Sequence, residues 1–156
     1  MADRAIKSSM SIDAPTDSVF RALTESDALE HWLATKVESD ARTGGRFRYE
    51  FEFEDPAQNN VQEGEYLAVE DGSRVTVPWK FPFSQKQTTV DYVVSGEGDG
   101  SRVDFTHSGF EQGEPWDGAY ERFTGGWQMF LEGLKTYVET GAANLPLGMR
   151  TRAPSD

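Results

Sequence analysis

Between Trp116 and Gly141 the chain reads WDGAYERFTGGWQMFLEGLKTYVETG. Tyr120, Phe123, Trp127, Phe130, Leu131, Leu134, Tyr137 and Val138 recur at steps of three and four, which sets them along one side of a 3.6-residue helix. Glu121, Arg122, Gln128, Glu132, Lys135 and Glu139 turn largely away. A stripe this wide cannot be left in water, so the rest of the chain must supply a broad apolar surface to cover it. Gly141 can take the left-handed conformation that ends a helix, and Lys135 lies near the end where the helix dipole favours positive charge. Inside the stretch, Gly125 and Gly126 each cost about 1 kcal/mol relative to alanine. They allow two readings: a frayed or kinked first turn, or close approach of sheet, ligand or partner to the helix backbone.

The covering surface is legible upstream. Phe47, Tyr49, Phe51 and Phe53 alternate with Arg46, Arg48, Glu50, Glu52 and Glu54, giving a strand with one aromatic and one charged face. Residues 61–70 are expected as the next strand, and Asp71-Gly72 turns it into a hairpin. In 73–83, Val75, Val77, Trp79 and Phe81 share a face. Pro78 and Pro82 cannot donate to a ladder, so this strand should lie at an edge or leave the sheet near Pro78. Val90, Tyr92 and Val94 mark one further strand, and Val103, Phe105 and His107 another. At the N-terminus, Ile6, Met10 and Ile12 alternate with Lys7, Ser9 and Ser11 in a half-buried strand. Pro15 then opens a short helix carrying Val19, Phe20 and Leu23. Ser26-Asp27 is expected to cap a second one, with Leu29, Trp32 and Leu33 as its apolar side and Glu30 in its first turn.

A chain of 156 residues suits one domain. Residues 1–140 are read as that domain and 141–156, with two prolines and little periodicity, as a flexible C-terminal tail. The formal charge of −12 and the lack of any Lys/Arg cluster exclude a nucleic-acid partner. The acidity serves solubility, with adaptation to a salt-rich cytoplasm as the alternative. There is no cysteine, hence neither disulfide nor thiolate chemistry. Two histidines without metal-ligand spacing argue against a metal, and no P-loop, dinucleotide fingerprint or G-x-S-x-G elbow is present, so no cofactor is expected. No run approaches the ~18 apolar residues of a membrane span, and the N-terminus has no apolar signal core. A soluble, cytoplasmic protein without membrane insertion is expected, monomeric or weakly homodimeric.

The element order is strand, two short helices, a run of antiparallel strands, then one long helix. It predicts an α+β helix-grip fold in which a curved antiparallel sheet of six to seven strands wraps one C-terminal helix. Such a sheet is rarely filled perfectly by side chains at both ends of the helix, so a cavity is a natural consequence. The segments IDAPTDSVFRALTESDALEHW, GGRFRYEF and VDFTHSGF, followed by GGWQMFLEGLKTYVETG, closely resemble the START-like or SRPBCC superfamily. Within it they resemble the branch named for the C-terminal domain of the activator of the heat-shock-protein-90 ATPase. The resemblance spans about residues 5–140. It implies binding of a hydrophobic ligand, lipid-like, sterol-like or polyketide-like, under the long helix. It also implies a possible chaperone partner, although the chain has no room for the activator's further N-terminal domain. The Gly-Trp that the family keeps falls here at Gly126-Trp127, which favours close packing or cavity access over fraying.

Eleven residues are candidates to line a ligand cavity: Trp32, Tyr49, Phe51, Trp79, Phe81, Tyr92, Phe105, His107, Phe123, Trp127 and Phe130. Buried rings are core by default, so the polar tips of Tyr49, Tyr92, His107 and Trp127 matter most. His107 could carry a proton, orient a ligand, or brace the strand end before Ser108-Gly109. It is the only weak candidate for catalysis, and an enzyme is a less favoured reading than a binding protein. His31 reads as a surface residue, and Glu50, Glu52 and Glu54 as a solvated face. Three functions follow: a binding protein for a small hydrophobic molecule, a chaperone-associated interaction module, and a cyclase- or hydrolase-like enzyme using His107.

Overall fold

In the computed structural model, which describes residues 4–145 and 149–150, β1 (Arg4–Ile12) leads into two short helices, α1 (Thr16–Thr24) and α2 (Ser26–Trp32). The strands β2 (Lys36–Ser39), β3 (Arg46–Phe51), β4 (Asn60–Glu65), β5 (Ala68–Glu70), β6 (Arg74–Lys80), β7 (Gln87–Glu97) and β8 (Gly100–Phe110) follow, and α3 (Trp116–Thr140) closes the described fold. Every pairing is antiparallel. Five strands form one sheet in the order β1-β8-β7-β6-β5, and three form another in the order β2-β3-β4. The α+β helix-grip architecture is thus the one read from the sequence.

The strand count differs, for local reasons. β2 was not foreseen, because in the four residues KVES only Val37 is buried and no alternation is visible. The stretch 61–70 is two strands in two sheets. Tyr66 exchanges hydrogen bonds with Gly44 and Gly45 in the smaller sheet, whereas the Leu67 amide donates to Thr76 O in the larger one, so the chain changes sheet between consecutive residues. β6 does not leave the sheet at Pro78, which pairs with Thr89 of β7. On its other side β5 reaches only Thr76, so Pro78 stands at an edge, as its missing N–H requires. Past it the buried Gln62 side chain acts as a substitute strand, accepting from Lys80 N at 3.0 Å and donating to Lys80 O at 2.7 Å. The second helix is preceded by Glu25 rather than capped by Ser26 or Asp27, and no side chain caps it. Glu30 instead accepts from the Val37 amide at 2.9 Å, tying α2 to β2.

α3 is unbroken through both interior glycines and ends where expected, with Gly141 at φ 79° donating to Tyr137 O at 2.7 Å. It crosses the larger sheet. On the β1 side Asp117 pairs with Arg4 at 2.6 Å, and Lys135 Nζ donates to Ser11 O at 2.9 Å. On the other side its rings meet the aromatic faces of β3, β6 and β8: Phe123 on Phe81, Trp127 on Phe105 and Trp79, Phe130 on Phe51. Neither Gly125 nor Gly126 is in close packing, since a β-carbon on either would meet nothing within 4 Å. The close approach is at Gly133, where a β-carbon would stand 2.7 Å from the carbonyl oxygen of Asn144. The Asn144 amide in turn donates to His31 O at 2.8 Å, and Met149 forms a bridge with Phe53. These described positions of the segment read as a tail therefore have partners, while 146–148 and 151–156 lie outside the described residues.

Two glycines of one helix should consequently respond with opposite signs. Gly133→Ala forces backbone apart and is expected to destabilise by about 1–3 kcal/mol. Gly125→Ala meets open space and should stabilise by about 0.5–1 kcal/mol. Urea denaturation of the two variants beside the parent protein checks both.

Candidate functional site

Between the middle of α3, β3 and β6 a cleft of about 480 Å³ opens. Phe51 and Phe53 come from the β3 segment, Trp79 from β6, and Phe123, Gly126, Trp127 and Phe130 from α3. Gln58 enters from the β3–β4 connection, Asn60 is the first residue of β4, and Arg122 stands on the first half of α3. Period-two alternation in β3 and β6 and the 3.6-residue period in α3 aim these rings at one another. Trp79 meets Phe51 at 5.7 Å, Trp127 at 5.3 Å and Phe123 at 6.4 Å between ring centroids, all tilted or edge-on, the arrangement aromatic quadrupoles favour.

Five of the eleven candidates line this cleft: Phe51, Trp79, Phe123, Trp127 and Phe130. Phe81, Phe105 and His107 lie directly behind it, packed on Phe123, Trp127 and Trp79. Trp32, Tyr49 and Tyr92 do not line it. Trp32 is fully buried and donates to Ala22 O at 2.8 Å. Tyr49 lies within 3.5 Å of the Tyr66 hydroxyl, and Tyr92 packs between Trp32 and Phe105. Burial raises both tyrosine pKa values, so these phenols stay protonated. Phe53, Gln58, Asn60 and Arg122 complete the lining without having been singled out. Phe53 continues the alternation of β3 and could have been found. Gln58 and Asn60 belong to the polar run DPAQNN, which reads as a loop, and Arg122 reads as an outward helix position, so neither signal separates them from ordinary surface.

His107 is the centre of a relay. Thr88 has a single hydroxyl proton and donates it to Trp79 O at 2.7 Å. The 2.8 Å contact between Thr88 Oγ1 and His107 Nε2 therefore has the imidazole as donor. His107 Nδ1 is left to accept from the indole N–H of Trp127 at 2.9 Å. The ring is the neutral Nε2–H tautomer, fully buried, stacked on Phe81 and edge-on to Phe110. Burial pushes its pKa down to about 3. It braces α3 against β8, β7 and β6, a wider role than fixing a strand end. The Trp79 indole N–H, by contrast, is buried with no acceptor among the described residues. Such an orphan donor costs on the order of 1–3 kcal/mol. Among the described residues no group of three or more His, Asp or Glu could hold a metal ion. His31 is half-buried, stacked on Tyr137, and Glu50 and Glu52 pair on the outer face with Arg48 and Lys36.

The lowered His107 pKa has a definite sign. Below about pH 6.5 the unfolded chain takes up a proton that the folded chain refuses until about pH 3, so this residue's contribution is intact above pH 6.5 and falls progressively as pH drops to 3. Between pH 7 and pH 5 the parent protein should lose about 2 kcal/mol more than His107→Gln, at about 1.4 kcal/mol per pH unit. Urea denaturation of both proteins at the two pH values measures the difference.

Several solved structures share this fold. Protein CV1439 from Chromobacterium violaceum is 26% identical, with a TM-score of 0.71 over 86% of this chain and 97% of its own. The Aha1 dimer from Colwellia psychrerythraea is 20% identical, with a TM-score of 0.73 over 88% and 98%. DynU16, a protein of the dynemicin biosynthetic locus, is 22% identical, with a TM-score of 0.74 over 91% of this chain and 51% of its own. At those identities the last two speak to the fold alone. No curated protein matches the sequence significantly. The family model described as "Activator of Hsp90 ATPase homolog 1-like protein" matches residues 13–139, so the chain belongs to that family, within the START-like or SRPBCC superfamily.

Proposed function

We propose that the protein binds a small, largely apolar molecule in the cleft between α3, β3 and β6. The observation that carries this is an opening of about 480 Å³ walled by six aromatic rings and holding a few polar groups. That size and composition are those of small-molecule sites. The glycine at 126 supports it, because the helix accepts a residue costing about 1 kcal/mol at a position where a side chain would project into open space beside Trp127. A role for His107 as proton carrier has no support in the geometry. Both ring nitrogens are engaged within the core and the imidazole is held neutral. The cytoplasm is the compartment we propose, and no helix among the described residues is long and apolar enough to cross a membrane.

The family's description favours a second reading, docking onto an Hsp90-type chaperone. Immobilised chaperone retaining the purified protein, with a change in its ATPase rate, would support that reading. No retention at tens of micromolar would end it.

Nile red, a neutral apolar dye, tests the first reading. Saturable binding at one site is expected for the parent protein, weakened at least tenfold by Gly126→Leu, which fills the cleft. Gly125→Leu, outside the lining, should bind as the parent does. A parent protein that shows no saturable binding, and carries no small molecule in native mass spectrometry, would overturn it.

A further inference from the structure

The charge on the cleft wall runs against the charge of the chain. The sequence carries 27 acidic residues against 15 Lys and Arg, yet Arg122 is the single ionisable residue of the lining and no carboxylate joins it. Arg122 makes no ion pair among the described residues, whereas Arg48, Arg74 and Arg102 all do on the outer surfaces; the Glu114 carboxylate stands nearby outside the cleft, its Oε2 and Arg122 Nη1 lying 3.3 Å and 3.2 Å from where a β-carbon on Gly118 would be. The other polar contributors are Gln58 and Asn60, two carboxamides able to donate. Trp79, which forms part of the wall, holds its indole N–H buried and without an acceptor among the described residues. The wall therefore offers a planar cation and two carboxamides, set among rings, and no anion.

We propose that the molecule taken by this cleft is a monoanionic carboxylate with an apolar body, its carboxylate at Arg122 and its body against Trp79, Phe123, Trp127 and Phe130. The inference rests on the ligand-binding reading above and names its chemistry. A guanidinium meets a carboxylate through two parallel N–H bonds, a geometry that an alcohol or an amine cannot return. One cation matches one negative charge, and no second Lys or Arg is present for a dianion. The overall charge of −12 opposes the approach of an anion at long range, but beyond about 8 Å that repulsion is screened at physiological salt. Among the residues lining the cleft the one charge is that of Arg122.

Calorimetric titration with matched probes tests this: decanoate against decanol for a linear body, and 2-naphthylacetate against 2-naphthylethanol for an aromatic one. The parent protein should bind the carboxylate of at least one pair about tenfold more tightly than its alcohol. Arg122→Gln should erase that preference by weakening the carboxylate about tenfold relative to the alcohol, and Arg122→Lys should restore part of it. The residue lies on an exposed helix position, so circular dichroism should report the same fold for all three proteins. Equal affinity for acid and alcohol in the parent, or a preference that survives Arg122→Gln, overturns the inference and leaves the cleft as a binding site. Failure of all four probes to bind, together with failure of Nile red, overturns both.

Discussion

The hydrogen bond from the Trp127 indole to His107 ties the long helix to the sheet, and its meaning depends on what stands behind the imidazole. His107 passes its own N–H to Thr88, and Thr88 passes its hydroxyl proton to the Trp79 carbonyl, so α3, β8, β7 and β6 are joined by three consecutive donor–acceptor steps. Trp79 and Thr88 are register partners, and Val90, two residues on, is the partner of His107. A slip of one residue in either pairing would turn a member of the relay to the outer face. A donor or acceptor would then be stranded in a core otherwise built of rings. The relay adds little apolar burial of its own, but it makes wrong registers costly in a sheet whose many Val and Phe positions could otherwise exchange.

The same arrangement explains why the polar groups near the cleft are sorted as they are. His107 is so well satisfied that it has nothing to offer a ligand, although it was the most conspicuous titratable residue. Trp79 gives the relay its carbonyl oxygen but keeps an indole N–H with no partner among the described residues. Charge is sorted in parallel. The acids of β3 and of the neighbouring strands pair across the outer faces, as Glu63 does with Arg48 and Asp91 with Arg74, and none reaches the cleft.

Much of the fold was legible because its two periods are clean. The 3.6-residue period of α3, the alternation of 46–53 and the glycine at 141 specify elements whose bounds the structure reproduces closely. What could not be read depends on partners far along the chain. β2 is too short to show a period, and the change of sheet at Tyr66 and Leu67 is invisible in an extended stretch that stays extended on both sides. Gly133 is indistinguishable in sequence from Gly125, yet it alone lies against the backbone of Asn144. The candidate site shows the same division. Periodicity assigns a side chain to a face but not to a height on that face. Tyr49 and Phe51 were therefore equivalent on paper, although only Phe51 reaches the cleft.

Two of the four tryptophans, Trp79 and Trp127, stand 5.3 Å apart between ring centres at 66° to one another. One is fixed by the relay and the other packs on it at the cleft wall. Indoles so close and so steeply inclined share their ultraviolet excitation, and a coupled pair of this kind gives circular-dichroism bands of opposite sign that neither ring gives alone. The protein thus carries an intrinsic optical gauge of its own cleft, sensitive to angle as well as distance. Its signal reports whether helix and sheet hold the same separation when the space between them is filled.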